Sequence, residues 1–358
     1  MSFRRAFAAA AAVIIVTGST ARAAEDHSQH AGHSGHGGHQ MTNEQIEILK
    51  SKIELYRPYS NEQINAAMAR MYDANDYLSE PALMRDVGVL ALGHGYKAEG
   101  DVLFKQGYAA VAAEYPTAVG LGMTMMDSND IQVAVSRLEA AGAKTIVVLP
   151  TEIGDNTSLI RQWEYAFGLR DTSSYLDVAR IRTGARVIIA KTPTTSPVVT
   201  DILSAYVKEA SVKAAEEVVV LISHGPEDAA DNERELANLA RHAAGIQAAT
   251  GVAEVHYGTL QDDAPPAIRQ KNVDRLRGWI ASATGAGRRV IVVPVVVVSR
   301  SGVSGRITRD LAGLAYTSTI KGIAESPLFD RWVRQTLAAA LAASPEAAAG
   351  NTRAGMVD

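Results

Sequence analysis

Aliphatic residues in this chain come in short dense runs separated by longer amphipathic stretches. DVGVLALG (86–93), KTIVVLP (144–150), EEVVVLIS (216–223) and RRVIVVP (288–294) are each bounded by Gly, Pro or charged residues, the pattern of buried strands. NDIQVAVSRLEAAGA (129–143), NTSLIRQWEYAFGL (156–169), NERELANLARHAAGIQAATG (232–251), IRQKNVDRLRGWIASATGAG (268–287) and SGRITRDLAGL (304–314) carry their apolar residues at helical spacing. AVAAEYPTAVGLGMTMM (110–126) reads as a helix end and a strand, and VAEVHYGTL (252–260) as a further strand. Strands alternating with helices call for parallel sheets covered on both faces, an α/β fold. The order strand, helix, strand, helix occurs twice, so the chain is expected to form two tandem Rossmann-like lobes with a cleft between them.

The rest of the chain divides around these lobes. MSFRRAFAAAAAVIIVTGSTARA has Arg4 and Arg5, an apolar stretch from Ala6 to Val16 and the small-x-small site Ala21-Arg22-Ala23. These are the parts of a cleaved secretory signal, and the apolar stretch is shorter than the roughly 20 residues a membrane span needs. The expected location is periplasmic, without a stable membrane anchor. Residues 24–41 follow as a leader with His27, His30, His33, His36 and His39 at a spacing of three among Gly, Ser and Ala. That composition favours neither helix nor strand, and its imidazoles suit Ni, Co, Cu or Zn ions; a solubilising linker is the blander alternative. From 42 to about 80 the pattern is helical: Thr42 with Gln45 forms a capping-box signature, and Ser60-Asn61-Glu62-Gln63 opens a second helix. Met68 and Met71 are read there as core filler. The expected divisions are then helices to 85, a first lobe over 86–170, a linking segment over 171–215, a second lobe over 216–335 and an Ala-rich tail over 336–358. ARVIIAKTPTTSPVV and DILSAYVKEASVKA make the linker a strand, a Pro/Thr loop and a helix.

Composition narrows the chemistry. The 358 residues are 47% hydrophobic, enough for two cores, and the net charge of −4 gives no basic footprint for nucleic acid. Cysteine is absent, which removes disulfides, thiolate metal sites and cysteine nucleophiles together. No GxGxxG follows the first strand, no GxxxxGK[ST] occurs, and Ser223-His224 lacks the GxSxG elbow, so no nucleotide cofactor and no serine-hydrolase chemistry are expected. Nine histidines are present, five of them in the leader. Two of the other four, His94 in LGHG and His224 in ISHG, end the first strand of each repeat and precede a charged segment that turns helical. Loops at the carboxyl ends of strands are where open α/β sheets bind ligands. His242, on a helical stretch beside Arg241, is read as a core histidine, and His256 lies within a strand.

Tandem α/β units, HG closing the first strand, and a Val-Val-x-Pro strand before a polar loop resemble the class II tetrapyrrole chelatases, most closely the sirohydrochlorin cobaltochelatases of the CbiX type. DIQVAVSRLEAAGAKTIVVLP is similar to that family's helix–strand, and the resemblance covers roughly residues 86–335. It implies insertion of a divalent ion, Co2+, Ni2+ or Fe2+ as substrate, into a sirohydrochlorin-like ring held between the lobes. Neutral imidazole would hold the ion, and a carboxylate or imidazole would take up the protons displaced from the ring. By the same resemblance His94 and His224 fall at the family's HG position as catalytic and metal residues. The family's second ligand, a Glu on the following strand, maps near Gln261 and Asp262 in one unit and near Met125, Met126 and Asp127 in the other. Its third, a His after Val-Val-x-Pro, is replaced by Glu152 and Asp155 in the first unit and by Ser301 and Ser304 in the second. Arg300 and Arg306, with Arg309 nearby, would meet the acid side chains of the tetrapyrrole. A periplasmic metal- or tetrapyrrole-binding protein without turnover is the competing expectation. The oligomeric state is left open.

Overall fold

The computed structural model describes residues 40–69 and 73–343. The expected signal segment, the leader with His27, His30, His33, His36 and His39, and most of the Ala-rich tail lie outside the described residues.

The first part of the chain contains α1 (Asn43–Lys52) and α2 (Asn61–Met68). Thr42 and Ser60 each accept a hydrogen bond from the backbone of the glutamine three residues on, whose side chain in turn accepts from the cap's own N–H. These reciprocal bonds satisfy donors that a helix start leaves unpaired. Ile46, Leu49, Ile64 and Met68 are buried together with Tyr56, Met125, Tyr175 and Leu176.

Beyond α2 the chain departs from the helical expectation. Ala74–Tyr77 is a strand, β1, which lies antiparallel on the edge of the first sheet. There follow β2 (Val87–Gly93), α3 (Lys97–Gly107), α4 (Ala109–Ala112), β3 (Thr117–Leu121), α5 (Asn129–Ala140), β4 (Thr145–Pro150), α6 (Ser158–Ala166) and β5 (Arg186–Ile189). The strands stand in the order β1-β3-β2-β4-β5, parallel apart from β1. After α7 (Pro197–Ala210) the second half contains β6 (Glu217–Ser223), α8 (Ala229–Thr250), β7 (Glu254–Thr259), α9 (Pro266–Gly285), β8 (Arg289–Val295), α10 (Gly302–Asp310), β9 (Thr317–Ser318) and α11 (Phe329–Ala342). Its sheet is all parallel, ordered β7-β6-β8-β9.

Both sheets place the first strand of their repeat at the centre, the second on one side and the third on the other. The register repeats too: Leu92 pairs with Pro150, and Ile222 with Pro294. Each proline therefore sits opposite the residue two before its histidine. The α/β, two-lobed architecture read from the apolar runs is present, with the antiparallel edge β1, the short strand β9 and the helix α11 added to it.

Alternation along the strands divides the core. Leu90 and Leu92 turn toward α5 and α6, and Val220 and Ile222 toward α9 and α10. Val89, Ala91, Val219 and Leu221 face a third cluster shared by both lobes, filled by Phe104, Tyr108, Ile202, Leu239, Phe329 and Trp332. Full burial of one such side chain contributes about 1.5–3 kcal/mol, so this shared layer holds the lobes together.

Candidate functional site

His94 and His224 follow the last residues of β2 and β6, the central strand of each sheet. Each is followed by a glycine with positive φ, +87° at Gly95 and +74° at Gly225. That conformation, which suits glycine, turns the glycine carbonyl back onto the preceding ring. Nδ1 of His94 lies 2.6 Å from the Gly95 oxygen and Nδ1 of His224 lies 2.9 Å from the Gly225 oxygen. A carbonyl only accepts, so Nδ1 carries the proton in both rings and Nε2 is left as the chemically available nitrogen.

The two rings then differ. The His94 ring packs on Tyr96 with centroids 4.4 Å apart, and its backbone N–H donates to Oε1 of Glu152 at 3.0 Å. Burial pushes the Glu152 carboxyl up from its ordinary range, and His94 and His224, both within electrostatic reach, pull it back. Glu152 thus lies within electrostatic reach of both histidines. Around His224, Nε2 stands 3.5 Å from Oδ2 of Asp263 and 4.0 Å from Oδ2 of Asp262. Both nitrogens of this ring thus face oxygen atoms.

The other residues singled out from the sequence have defined neighbours. Asp262, with a fully buried side chain, accepts from Nε of Arg269 at 2.8 Å and from Nε of Arg306 at 2.5 Å. Burial pushes its carboxyl up, but His224, Arg306 and Arg269 outweigh that and hold it below the usual carboxylate range. Arg306 is therefore committed to Asp262. Gln261, at φ +47°, donates its side-chain amide to the Pro226 carbonyl and braces the loop after His224. Arg300, 68% exposed, reaches from the second lobe to Glu99 of the first at 3.2 Å. Asp155 is exposed on the loop after β4. Met125 is buried beneath the N-terminal helices, with Met126 packed against the same cluster. Ser301 and Ser304 stand with their hydroxyls 3.4 Å apart. His242 is buried, with Nδ1 against the Thr200 hydroxyl at 2.8 Å and Nε2 against the Thr194 carbonyl at 2.7 Å, the core histidine expected from its place on the helix. His256 stacks on Trp279.

Two residues that the sequence reading did not single out belong to this region. Asp263 is the nearer of the two aspartates to His224. Glu235, on α8, is 2% exposed; its Oε1 accepts from Ser223 Oγ at 2.9 Å, and its Oε2 is buried without a hydrogen-bond partner. A Cβ built at Gly154 would lie 3.8 Å from that oxygen, so the first lobe's loop comes close to it at a residue without a side chain. The doubled Asp in LQDD was the available signal for Asp263. Glu235 had none, because a glutamate on an amphipathic helix ordinarily faces solvent.

The seam between the lobes is polar beside the histidines. Arg161 Nη1 pairs with Asp231 at 2.8 Å, Asn156 donates to Asp231 at 3.1 Å, and Ser158 donates to Glu227 at 2.6 Å. Among the described residues no group of three or more His, Asp and Glu forms a metal-holding set.

No protein-family model and no curated protein matches the chain. Among solved structures, SirB from Bacillus subtilis with Fe3+ superposes with a TM-score of 0.51 at 17% identity, over 70% of this chain and 96% of its own. The sirohydrochlorin chelatase SirB from Bacillus subtilis subspecies spizizenii, in complex with cobalt, gives 0.48 at 14% identity, over 72% and 97%. CbiX, described as the terminal enzyme of sirohaem biosynthesis in denitrifying bacteria, gives 0.45 at 14%, over 71% and 99%. The chain has the two-lobed class II chelatase fold that its duplicated His-Gly strands resembled.

Proposed function

We propose that this protein inserts a divalent metal ion, cobalt, nickel or iron, into a sirohydrochlorin-like tetrapyrrole bound between its lobes. The observation that carries the proposal is the placement of His94 and His224 just after the central strands of two sheets of matching register, with Glu152 within electrostatic reach of both. The fold shared with SirB supports it.

Insertion requires that an ion be held loosely, that two ring N–H protons be removed, and that the ring be oriented. His94, whose Nδ1 is engaged by the Gly95 carbonyl, turns Nε2 to a cation, and Glu152, bonded to its backbone N–H, supplies the carboxylate for the same ion. His224 has Asp263 at Nε2 and a carbonyl at Nδ1, so it is arranged to receive a proton and be stabilised as a cation. Arg300 at the exposed rim can exchange Glu99 for an acid side chain of the ring. Arg306, tied to Asp262, serves the site by fixing the loop that carries Asp263.

In the same reading the protein is exported through its amino-terminal signal, and the leader with His27, His30, His33, His36 and His39 gathers metal. Among the described residues no helix is long and apolar enough to cross a membrane.

Anaerobic incubation with sirohydrochlorin and Co(II), followed by absorbance, tests the proposal. Insertion faster than the protein-free control, with many turnovers per protein, is expected. A rate equal to the control, with stoichiometric uptake of metal alone, would instead make the protein a binder. Deleting residues 25–40 is expected to slow insertion when metal is limiting and to leave the rate at saturating metal unchanged; a collapse at saturating metal would place the leader in the active site.

A further inference from the structure

The contacts that join the lobes are of two kinds. One is the apolar layer filled by Phe104, Tyr108, Phe329 and Trp332. The other is polar and lies at the starts of two helices. The loop after β4, whose Glu152 accepts from the His94 backbone, runs into α6, and the loop after β6, which begins with His224, runs into α8. The segments around these helix starts meet. Ser158 Oγ donates to Glu227 at 2.6 Å, Arg161 Nη1 donates to one oxygen of Asp231 at 2.8 Å, and Asn156 Nδ2 donates to the other at 3.1 Å. Arg161 Nη2 also donates to Ser158 Oγ at 3.1 Å, which ties the donors of the first lobe into one network. The carboxylates they hold both come from the second lobe.

We infer that Asn156, Ser158 and Arg161 form a binding site for the acid side chains of the ring, filled in the free protein by Asp231 and Glu227. The inference rests on the chelatase reading and names where that ring is gripped. A ring that reaches both His94 and His224 enters between the two loops, and its carboxylates replace those of Asp231 and Glu227 on the same donors. The exchange is close to balanced. Each donor has a carboxylate before and after, so no guanidinium is left without a partner. Asp231 keeps Arg234, three residues on along α8, and half-buried Glu227 gains water. Arg161 presents a planar fork, which matches a carboxylate better than a point charge does.

The two sides of the Arg161–Asp231 pair then have opposite roles. Asp231 occupies a place that the ring needs, so removing its charge frees the site, whereas removing Arg161 takes the site away. Substitutions at the two ends of one ion pair therefore shift ring binding in opposite directions. A pair that only braced the lobes would act in the same direction from either end.

The test is anaerobic titration of the full chain with sirohydrochlorin, without metal, followed by absorbance. Asp231→Asn, which keeps the shape, is expected to bind the ring roughly threefold tighter or more, and Glu227→Gln tighter as well. Arg161→Gln is expected to bind it roughly tenfold more weakly or worse. Arg161→Lys, which keeps the charge but not the fork, is expected to fall between Arg161→Gln and the parent. In turnover the same shifts are expected in KM for sirohydrochlorin, with KM for Co(II) unchanged. The chain has no cysteine, so spin labels attached to a Leu169→Cys, Ile268→Cys double variant, at exposed positions of the first and second lobes, report the separation of the lobes. The label distance is expected to change on adding sirohydrochlorin and, with Asp231→Asn added and no ring present, to shift toward the ring-bound value. A parent that binds the ring while Asp231→Asn and Arg161→Gln fail to shift in opposite directions, or while the label distance stays fixed, overturns the inference and leaves the chelatase reading standing. A parent that does not bind sirohydrochlorin overturns both.

Discussion

Each imidazole of the pair is held by a single glycine, and that is where residue-level predictions are sharpest. A Cβ added at Gly225 would fall 2.5 Å from Cβ of Thr259, at a φ of +74°. Gly225→Ala is therefore expected to destabilise the fold by about 1–3 kcal/mol, measured by denaturant unfolding, and to turn the His224 ring away from the Gly225 carbonyl. Glu235 has a thermodynamic signature as well. Its folded-state affinity for a proton exceeds that of the unfolded chain, so its favourable contribution is complete below about 4.5 and is lost as pH rises to about 7. The loss amounts to ~3 kcal/mol. Burial and the neighbouring Asp127 and Asp130 push Asp73 to about 7 as well, so the informative quantity is the difference between parent and Glu235→Gln. The variant is expected to lack ~3 kcal/mol of the decline between those pH values; equal declines would contradict the assignment. At this scale the His-Gly pairs were legible because a histidine between a buried strand and a turn has few other reasons to be there. Asp263 and Glu235 were not, since their importance depends on which neighbours fold onto them.

At the scale of elements, the four central and flanking strands with long aliphatic runs were readable from sequence because burial on both faces leaves no alternative composition. β1 was not. Its ANDY carries no apolar alternation and is a strand only because β3 offers an open edge to pair with. β9, two residues long, is likewise defined by its pairing with β8. The family's expected ligand position in the second lobe also ties elements together. Asp262 joins the loop after β7 to α9 through Arg269 and to α10 through Arg306, while Gln261 braces Pro226. Asp262→Ala leaves the largely buried Arg306 guanidinium without its carboxylate and Arg269 with Asp310 alone, and is expected to cost about 3–5 kcal/mol, seen as a lowered Tm. A variant with unchanged stability but abolished metal binding would mark Asp262 as a ligand instead.

For the whole molecule, the duplication explains why one cleft carries two similar but unequal histidines. The lobes repeat strand order, register and the His-Gly turn, yet only the first has a carboxylate bonded to the backbone of its histidine, and only the second has aspartates at the Nε2 of its ring. The repeat was visible in the sequence; the difference between the two rings was not, because it arises from residues 58 apart in the first lobe and about 40 apart in the second that fold onto each histidine. α11 also escaped the reading, since its Ala-rich end resembles a tail. Phe329, Trp332, Val333 and Leu337 nevertheless fill the shared core. The central claim is that the paired imidazoles insert metal into a tetrapyrrole, and the most direct measurement is the initial rate of Co(II) insertion into sirohydrochlorin by the parent, His94→Ala and His224→Ala side by side. The account predicts that both variants lose roughly a hundredfold or more, with Co(II) affinity reduced in His94→Ala and retained in His224→Ala. Two variants that insert metal at the parent's rate would contradict it.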